Sequence, residues 1–264
     1  MKKINTVAEL RQVQMGILDT VAQFCDTHGL VYFLSSGTLL GAVRHGGYIP
    51  WDDDIDLYMP RESYDRFLDS FHDDSGTYAV LQPGADKRYY YTFAKVVDTR
   101  TTLIEDEVSG YEIGIYIDIF PVDGAPEDMH EREQLFKRKK LLYKIRRCKI
   151  ADSNPLDSTL AYWCYRLLPV SVAWLDKRID RLVRAHAGST VVGNLTEAGP
   201  LRAASCFPAS CIDGQVDITF EGKMYKTMTG YKQYLELTYG DYMTLPPEDQ
   251  RVRHHFTAHW NTEQ

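Results

Sequence analysis

The N-terminal segment carries the clearest helical pattern in the chain. Thr6 and Glu9 form a capping box, apolar residues then recur at spacings of three and four up to Phe24, and Gly29 follows. A capping-box pair satisfies free N–H groups in the first helical turn, and glycine readily adopts the left-handed conformation that ends many helices. The pattern therefore predicts an amphipathic helix between these two signals.

The rest of the first half alternates apolar, β-branched stretches with turn residues, which predicts strands joined by short helices. The predicted strands are 30–36, 55–59, 78–81, 90–97 and 113–120, and the predicted helices are 39–44 and 60–71. We expect these elements to form a mixed sheet covered by helices, ending near Gly124.

The pattern changes in the second half. Residues 126–187 are predicted to be mainly helical with a break at Pro169, and a hairpin is predicted around Glu221-Gly222. Together the two halves indicate an α/β (α+β) fold. We expect a catalytic core over residues 1–125, and a mainly helical region over residues 126–264 that packs on this core and completes the site.

Composition narrows the functional classes. The chain has 30 Lys and Arg against 37 Asp and Glu, a formal charge of −7, so no nucleic-acid partner is expected. The N-terminus has no apolar stretch typical of a signal peptide, and no run of 18 apolar residues occurs. Five scattered cysteines argue against a disulfide framework. These features favour a cytoplasmic protein, with its basic groups gathered locally if it binds a nucleotide.

An aspartate cluster at residues 51–57 is the most informative segment. On a strand, Asp54 and Asp56 project from the same face, while Ile55 and Leu57 face the core. Two adjacent carboxylates suit a Mg²⁺ or Mn²⁺ ion that also holds substrate phosphates. The plain alternative is a solvated acidic turn, but charge placed beside a core usually has a function.

Other carboxylate and phosphate motifs fit less well. The segment from Asp52 mimics the start of an EF-hand loop, but Leu57 and Ser63 stand where Gly and Glu are required. Gly41–Gly46 resembles the start of a P-loop but lacks the Lys-Ser/Thr that ends it. A third carboxylate for the aspartate site is supplied by Asp118, the single charge in a strongly strand-like segment, although such an aspartate can also be a structural cap.

A longer set of segments resembles the LicD family. The segment SGTLLGAVRHGGYIPWDDDIDLYMPRESYDRF at 36–67 is similar to that family, as are DIFPVDG at 118–124 and YGDYMTLPP at 239–247, which is followed by two histidines. The LicD family comprises bacterial choline phosphotransferases related to fukutin and fukutin-related protein, and it belongs to the nucleotidyltransferase superfamily. The resemblance implies a nucleotidyltransferase-like core and transfer of phosphocholine from CDP-choline to a hydroxyl of a cell-surface glycan or its lipid-linked precursor, of the teichoic acid, lipopolysaccharide or capsule type.

The resemblance also implies roles for individual residues. Asp54, Asp56 and Asp118 would be the catalytic and metal-binding carboxylates, and Gly37 and Thr38 would bind donor phosphate through backbone N–H groups. Basic groups are expected to meet the negative charge of the transferred phosphate. The candidates for this role are Arg44, His45, Lys95, Arg100, Arg253, His254 and His255.

Lys95 and Trp51 each have a structural alternative to a role in substrate binding. Lys95 is the single cation within YYTFAKVV, and it is either a phosphate contact or an edge-strand lysine whose amine reaches solvent. Trp51 is the candidate for cation–π contact with choline, and its alternative is core packing.

Other functions also fit the sequence. The same fold could transfer another phospho-group, or an Asp-x-Asp glycosyltransferase could use a nucleotide sugar. A non-catalytic binding protein is disfavoured because the proposed site residues are all present.

Residues 137–150 carry eight basic side chains in fourteen. This run either approaches an anionic membrane surface or is a solvated helix paired with Glu127, Asp128, Glu131 and Glu133, and the second interpretation is favoured.

Overall fold

The computed structural model of the chain describes residues 2–86, 88–104, 112–151, 153–197, 206–251 and 257–261. Within these ranges it contains seven α-helices and thirteen strands. In chain order the elements are β1 Lys2–Ile4, α1 Val7–His28, β2 Phe33–Leu34, α2 Ser36–His45, β3 Asp56–Pro60, α3 Arg61–Ser70, β4 Tyr78–Leu81, β5 Ala94–Asp98, β6 Thr101–Ile104, β7 Glu112–Ile113, β8 Tyr116–Gly124, α4 Met129–Ile150, α5 Thr159–Leu167, α6 Val172–Val183, β9 Val191–Gly193, β10 Phe207–Pro208, β11 Gln215–Phe220, β12 Lys223–Met228, α7 Tyr231–Tyr239 and β13 Thr257–Trp260. The mixed α/β architecture confirms the predicted fold class.

Helix α1 begins and ends where its signals predict. The Thr6 side chain accepts a hydrogen bond from the Glu9 N–H, and the Glu9 carboxylate accepts from the Thr6 N–H, which completes the capping box. Gly29 ends the helix at φ 62°, in the left-handed region. The apolar face of α1, including Ile17 and Val21, packs into the main core against the buried side chains of the sheet.

The main sheet is mixed and has seven strands. Strand β8 is its centre: β3 pairs with it in parallel over Asp118–Val122, and β5 pairs with it antiparallel over Tyr116–Ile119. Strand β2 lies outside β3 and β4 lies outside β5. The order across this part of the sheet is therefore β2-β3-β8-β5-β4.

The second half of the chain contributes both helices and sheet. Strand β9 pairs with the end of β8, and β10 pairs with β9, so residues beyond 126 extend the main sheet. Helices α4 and α6 pack together around Leu135, Phe136 and Ile179. The helical stretch over 126–187 and the hairpin of β11 and β12 are both as predicted.

Several predicted boundaries are wrong. The strand predicted over 30–36 is restricted to Phe33–Leu34, because the chain turns at Ser36 (φ 47°) directly into α2. The strand predicted over 90–97 begins at Ala94, since the aromatic segment before it packs against α4 instead. The strand predicted to end at residue 120 continues to Gly124, because β3 supplies a parallel partner as far as Val122.

A second sheet was missed by the sequence patterns. Its order is β1-β13-β6-β7, so it joins the described N-terminal and C-terminal strands. Strands of two to four residues are too short to carry a periodic signal, and their pairing depends on segments far apart in sequence.

All five cysteines have free thiols, as the odd and scattered set predicts. The described helices include none with the length and apolar character needed to cross a bilayer.

Candidate active site

Three adjacent strands align three charged residues at one place on the sheet. Asp118 of β8 is paired with Asp56 of β3 on one side and with Lys95 of β5 on the other. Side chains at paired positions of neighbouring strands lie side by side on the same face. The Lys95 Nζ is 2.7 Å from Asp118 Oδ1. The sheet therefore creates a row of charged groups, Asp56, Asp118 and Lys95.

Lys95 is buried, with a side chain 1% exposed. Strand β5 has partners on both sides, so Lys95 is not on an edge strand and its amine does not reach solvent. Its Nζ lies 3.3 Å from the ring centroid of Tyr116 and 4.0 Å from that of Tyr91. A desolvated ammonium is stabilised by such ring faces and by the Asp118 carboxylate. These contacts hold one cation firmly beside the aspartates.

The N-terminus of α2 adjoins this row. Helix α2 begins at Ser36 rather than at residue 39, so Gly37 and Thr38 lie in its first turn instead of in a preceding turn. The Thr38 hydroxyl accepts a hydrogen bond from the Asp56 N–H at 2.9 Å, which fixes the helix to the start of β3. The first N–H groups of a helix have no partner within the helix and attract anions. The position of Gly37 and Thr38 thus suits the predicted phosphate contact.

Gly37 has a steric reason to be glycine. A Cβ at this position would lie 2.6 Å from Asp52 Oδ2, closer than real Cβ contacts. The Asp52 carboxylate therefore approaches the backbone of the α2 N-terminus. Asp52 belongs to the aspartate cluster, but the strand pattern of Asp54 and Asp56 did not indicate this contact. Only the fold of the loop before β3 brings Asp52 to Gly37.

Burial and mutual repulsion destabilise the ionised forms of Asp54 and Asp56. Burial raises the pKa of Asp54 well above its ordinary value, and the carboxylates of Asp56, Asp52 and Asp118 raise it further. Burial likewise raises the pKa of Asp56, followed by the effects of Asp118, Asp52 and Glu197, which Lys95 partly offsets. Carboxylates in this situation are stabilised by a cation.

The carboxylates of this site can hold a small divalent cation if substrate phosphates and water complete its coordination. In the described part of the chain, no three His, Cys, Asp or Glu side chains converge closely enough to hold an ion. Mg²⁺, however, is commonly bound by one or two carboxylates together with substrate phosphates and water. Asp54 and Asp56 have the oxygen ligands and the unbalanced charge for such a site. The three-aspartate metal set remains a prediction.

The other predicted basic residues lie away from the row. Arg44 and His45 are in the last turn of α2, and Arg44 donates hydrogen bonds to the carbonyls of Tyr242 at 3.0 Å and Thr244 at 3.5 Å. Arg100 forms an ion pair with Asp98 beyond the far end of β5. Arg253, His254 and His255 lie outside the described residues.

Two aromatic residues, Trp51 and Tyr239, are associated with the aspartate cluster. The Trp51 ring has the Arg251 guanidinium 4.9 Å from its centroid and the His45 ring at 6.3 Å. This ring therefore already has one cationic neighbour, and contact with choline remains a prediction. Desolvation of the Tyr239 hydroxyl raises its pKa, although the residue as a whole is 40% exposed, and Tyr234 and the carboxylates of Asp56, Asp52 and Asp54 raise it further. The segment at 239–247 thus packs near the site.

Asp123 and Glu197 also influence the site region, the first through an ion pair and the second through its charge. Asp123, in the DIFPVDG segment, forms a two-point ion pair with Arg61 at 2.7 and 2.5 Å. Glu197 comes from the second half of the chain and affects the pKa of Asp56. No periodic pattern surrounds Glu197, so the sequence contained no signal for its position.

Comparison with known proteins identifies the family of the chain. A family model described as LicD/FKTN/FKRP, nucleotidyltransferase domain, matches residues 29–156. The chain is 30% identical to the lipopolysaccharide cholinephosphotransferase LicD of Haemophilus influenzae over 97% of both chains. It is 32% identical to an uncharacterized protein of Rickettsia prowazekii over 50% of this chain and 49% of that one. A 54-residue stretch, 20% of this chain and 10% of the other, is 39% identical to human ribitol 5-phosphate transferase FKRP. The chain therefore belongs to the LicD family.

Proposed function

We propose that the protein is a phosphotransferase that moves phosphocholine from CDP-choline to a hydroxyl of a cell-surface glycan or its lipid-linked precursor, with Mg²⁺ or Mn²⁺. The observation that carries this proposal is the row of Asp56, Asp118 and Lys95 beside the N-terminus of α2. The near full-length similarity to a lipopolysaccharide cholinephosphotransferase supports the transferred group and the class of acceptor.

The aspartates and the N-terminus of α2 have distinct tasks in this mechanism. Asp54 and Asp56 would hold the metal ion, which when bound neutralises charge on the donor diphosphate. The N–H groups of Gly37 and Thr38 donate hydrogen bonds to phosphate oxygens. Phosphoryl-type transfer depends mainly on such positioning and charge stabilisation.

Asp118 is placed to act on the acceptor. Lys95 holds one of its carboxylate oxygens, which fixes the orientation of the other. Asp118 accepts the proton of the acceptor hydroxyl as that oxygen attacks the phosphorus bearing choline. The new P–O bond forms on the side opposite the bond to CMP, which breaks, and CMP leaves with the electron pair. Lys95 stabilises the negative charge near Asp118 throughout.

The first experiment is thermal unfolding with CDP-choline, CMP, CTP, UDP-glucose and GDP-mannose, each with and without Mg²⁺. A ligand that binds the folded state raises the midpoint by mass action. We expect a Mg²⁺-dependent rise with CDP-choline and CMP that is lost in Asp54→Asn. A rise restricted to UDP- or GDP-sugars would retain the aspartate chemistry and reject choline as the transferred group.

A different phospho-group is the second candidate. The match to a ribitol 5-phosphate transferase covers a short segment, and it favours testing CDP-ribitol beside CDP-choline. Product analysis separates the candidates, because phosphocholine transfer leaves a choline phosphodiester on the glycan and ribitol phosphate transfer does not. Formation of a glycosidic bond would contradict both.

We also propose that α5 places the enzyme on an anionic membrane leaflet. Leu160, Trp163 and Leu167 follow one another on one helical face with exposures of 77%, 50% and 74%. Residues 129–183 carry thirteen Lys and Arg against six Asp and Glu, a net charge of +7, whereas the whole chain has −7. Exposed tryptophan and leucine beside basic groups are typical of surfaces that bind anionic lipid.

The favoured alternative, a solvated helix with local acidic partners, has limited support. Glu127 accepts hydrogen bonds from Thr190, and Asp128 caps α4. Within the described part of the chain, the ion pair recorded between these acids and the basic run is Glu133–Lys137 at 3.7 Å. Four of the eight basic side chains of the run are engaged within the protein: Lys137 pairs with Glu133, Arg146 pairs with Asp176, and Lys139 and Lys149 donate to carbonyls. The other four, Arg138, Lys140, Lys144 and Arg147, have no ion pair with these acids in the described part of the chain and can contact an external anion.

Sedimentation with lipid vesicles tests the membrane contact. Wild-type protein is expected to bind phosphatidylglycerol vesicles more tightly than phosphatidylcholine vesicles, and Trp163→Ser/Leu167→Ser to lose about tenfold in binding. Met224→Ser, a change at an apolar side chain that is 62% exposed on another surface, is the control and should bind normally. Equal binding by the double variant and wild type would contradict the assignment of α5.

A further inference from the structure

A large cavity adjoins the row of charged residues. Its volume is about 740 Å³, and it lies between residues 90–93, helix α4 and the segment from Pro155 to Tyr165. The wall is held in place by Arg146, which is 2% exposed. Its guanidinium donates to the carbonyls of Tyr90 at 2.6 Å and Tyr89 at 2.9 Å. The cavity is therefore a built part of the fold.

The cavity reaches the active site through aromatic side chains. Tyr91 and Phe93 line it, and the same rings lie 4.0 Å and 5.4 Å from the Lys95 Nζ. Glu197 also lines it and is close enough to Asp56 to influence that carboxylate. A ligand in the cavity would thus end next to Lys95 and Asp118.

The order of the strands assigns the cavity to one side of the reaction. Asp56 lies on β3 and Lys95 on β5, on opposite sides of Asp118 in β8, and the cavity-lining residues 90–93 lead directly into β5. The N-terminus of α2 is hydrogen-bonded to Asp56 at one end of the row, whereas Tyr91 and Phe93 of the cavity lie against Lys95 at the other end. In-line transfer requires the leaving group and the attacking oxygen on opposite sides of the phosphorus. With donor phosphates at α2, the cavity lies on the acceptor side.

The lining indicates the chemical class of the ligand. Lys140, Lys144 and Arg147 of α4 are exposed on the cavity wall, and no ion pair is recorded for them within the described ranges. Their charge exceeds that of the acidic lining residues Asp157 and Glu197. Tyr90, Tyr91 and Tyr165 also line the cavity, and aromatic rings are a common surface for sugars. The Arg147 guanidinium lies 5.1 Å from the Tyr90 centroid and the Lys95 Nζ lies 4.0 Å from the Tyr91 centroid, so Tyr165 adds a third ring beside two that already contact cations. The buried Tyr143 hydroxyl also has no hydrogen-bond partner among the described residues.

We propose that this cavity binds the acceptor, a saccharide that carries phosphate or carboxylate groups. The basic side chains of α4 bind its acidic groups, the tyrosine rings pack on its sugars, and its reactive hydroxyl extends past Tyr91 to Asp118. This inference rests on the proposed function in one respect, because the acceptor side is defined by placing donor phosphates at α2.

The test uses delipidated lipopolysaccharide oligosaccharide as a probe and calorimetric titration without any nucleotide. Lys140→Gln/Lys144→Gln is expected to weaken oligosaccharide binding about tenfold or more, the effect of losing charge-assisted hydrogen bonds. Lys137→Gln/Arg138→Gln is the matched control, since it makes the same charge change on the same helix outside the cavity lining. The control should bind within about twofold of wild type.

Three results would overturn the proposal. They are absence of oligosaccharide binding by wild type, equal losses in the two double variants, and a fall in CMP affinity in the cavity variant, which would assign the cavity to the donor. Failure of the proposed function looks different. In that case CDP-choline gives no Mg²⁺-dependent thermal shift, while the oligosaccharide still separates the cavity variant from its control.

Discussion

The two ends of β8 differ in how completely the charge of an aspartate is balanced. Asp118 and Asp123 lie on the same strand, and each has a basic partner within 2.7 Å. At the Asp123 end the charges are balanced: the Arg61 guanidinium binds both carboxylate oxygens, and the Asp123 side chain is 2% exposed. At the Asp118 end, Lys95 pairs with one carboxylate of a group that also contains Asp52, Asp54 and Asp56.

The difference separates a candidate functional cluster from a structural ion pair. Burial raises the pKa of Asp123, and Arg61 opposes this shift, so the pair can remain ionised. Burial and neighbouring carboxylates raise the pKa values of Asp54 and Asp56, and Lys95 offsets the shift of Asp56 in part. Excess negative charge on a half-buried surface is the arrangement expected where a cation and a phosphate group bind.

The largest effect is expected from Asp54→Asn and Asp56→Asn. Each should lower turnover about 10³-fold, because the charge that holds the metal and donor is lost. The unfolding midpoint at neutral pH should stay the same or rise, since burial and repulsion disfavour the native carboxylates. Steady-state kinetics and calorimetry measure the two quantities. Asp53→Asn is the control within the same run and should keep its activity, whereas full activity in either primary variant would reject the site.

The opposite outcome is expected at the other end of β8. Asp123→Asn should lower the free energy of unfolding by about 3 kcal/mol, because it leaves Arg61 without a buried counter-charge. Turnover per folded molecule should be preserved. Asp217→Asn is the control: Asp217 is 58% exposed and pairs with Lys226 on another surface, so its loss should cost about 1 kcal/mol or less. Denaturant titration compares the two, and equal losses would show that the Asp123 pair is not special.

Gly37→Ala tests the approach of Asp52 to α2. The new Cβ would displace the Asp52 carboxylate or shift the helix N-terminus, so the KM for donor should rise about tenfold. The same change made in an Asp52→Ala background should have a much smaller effect, because the clash is absent. A kinetic double-mutant cycle measures this coupling, and additive effects would contradict the steric explanation.

The smallest effect concerns the second buried lysine. Lys139 donates to the Glu197 carbonyl at 2.6 Å, and burial lowers its pKa to about 8. Its unfolded pKa is about 10.4, so the unfolded state binds more protons between these values and wild-type stability should rise with pH there. Lys139→Met lacks this gain and should lose stability relative to wild type by on the order of 1–2 kcal/mol from pH 8 to 10. A pH-independent difference, measured by urea titration, would contradict the assignment.

Local signals predicted the elements that depend on neighbouring residues. The capping box and Gly29 defined α1 to the residue, and the alternation around Glu221-Gly222 defined the hairpin. Asp54, Asp56 and Asp118 were selected by strand alternation and by the family resemblance. The structure places Asp56 and Asp118 opposite each other in the register of β3 and β8, and Asp118 contributes to the raised pKa of Asp54, while the three-aspartate metal set stays a prediction.

Signals from single segments failed where distant chain segments compete. Tyr90–Phe93 has a strand-like composition, but Arg146 binds the carbonyls at its start and the strand begins at Ala94. Lys95 has the sequence environment of an edge lysine, and only the pairing of β5 on both sides buries it. The second sheet joins β1 to β13 across the length of the chain, so neither strand carries its own signal.

The sequence by itself determined which residues could do chemistry, because carboxylates, glycine and capping groups act through local spacing. It also determined the alternating order of helices and strands, since apolar periodicity depends on adjacent residues. The tertiary structure decided which charges are neutralised: Asp123 by Arg61, and Asp118 in part by Lys95. It also decided where the cavity lies. Both depend on strand register and on helix packing, and these are set by contacts between residues far apart in the chain.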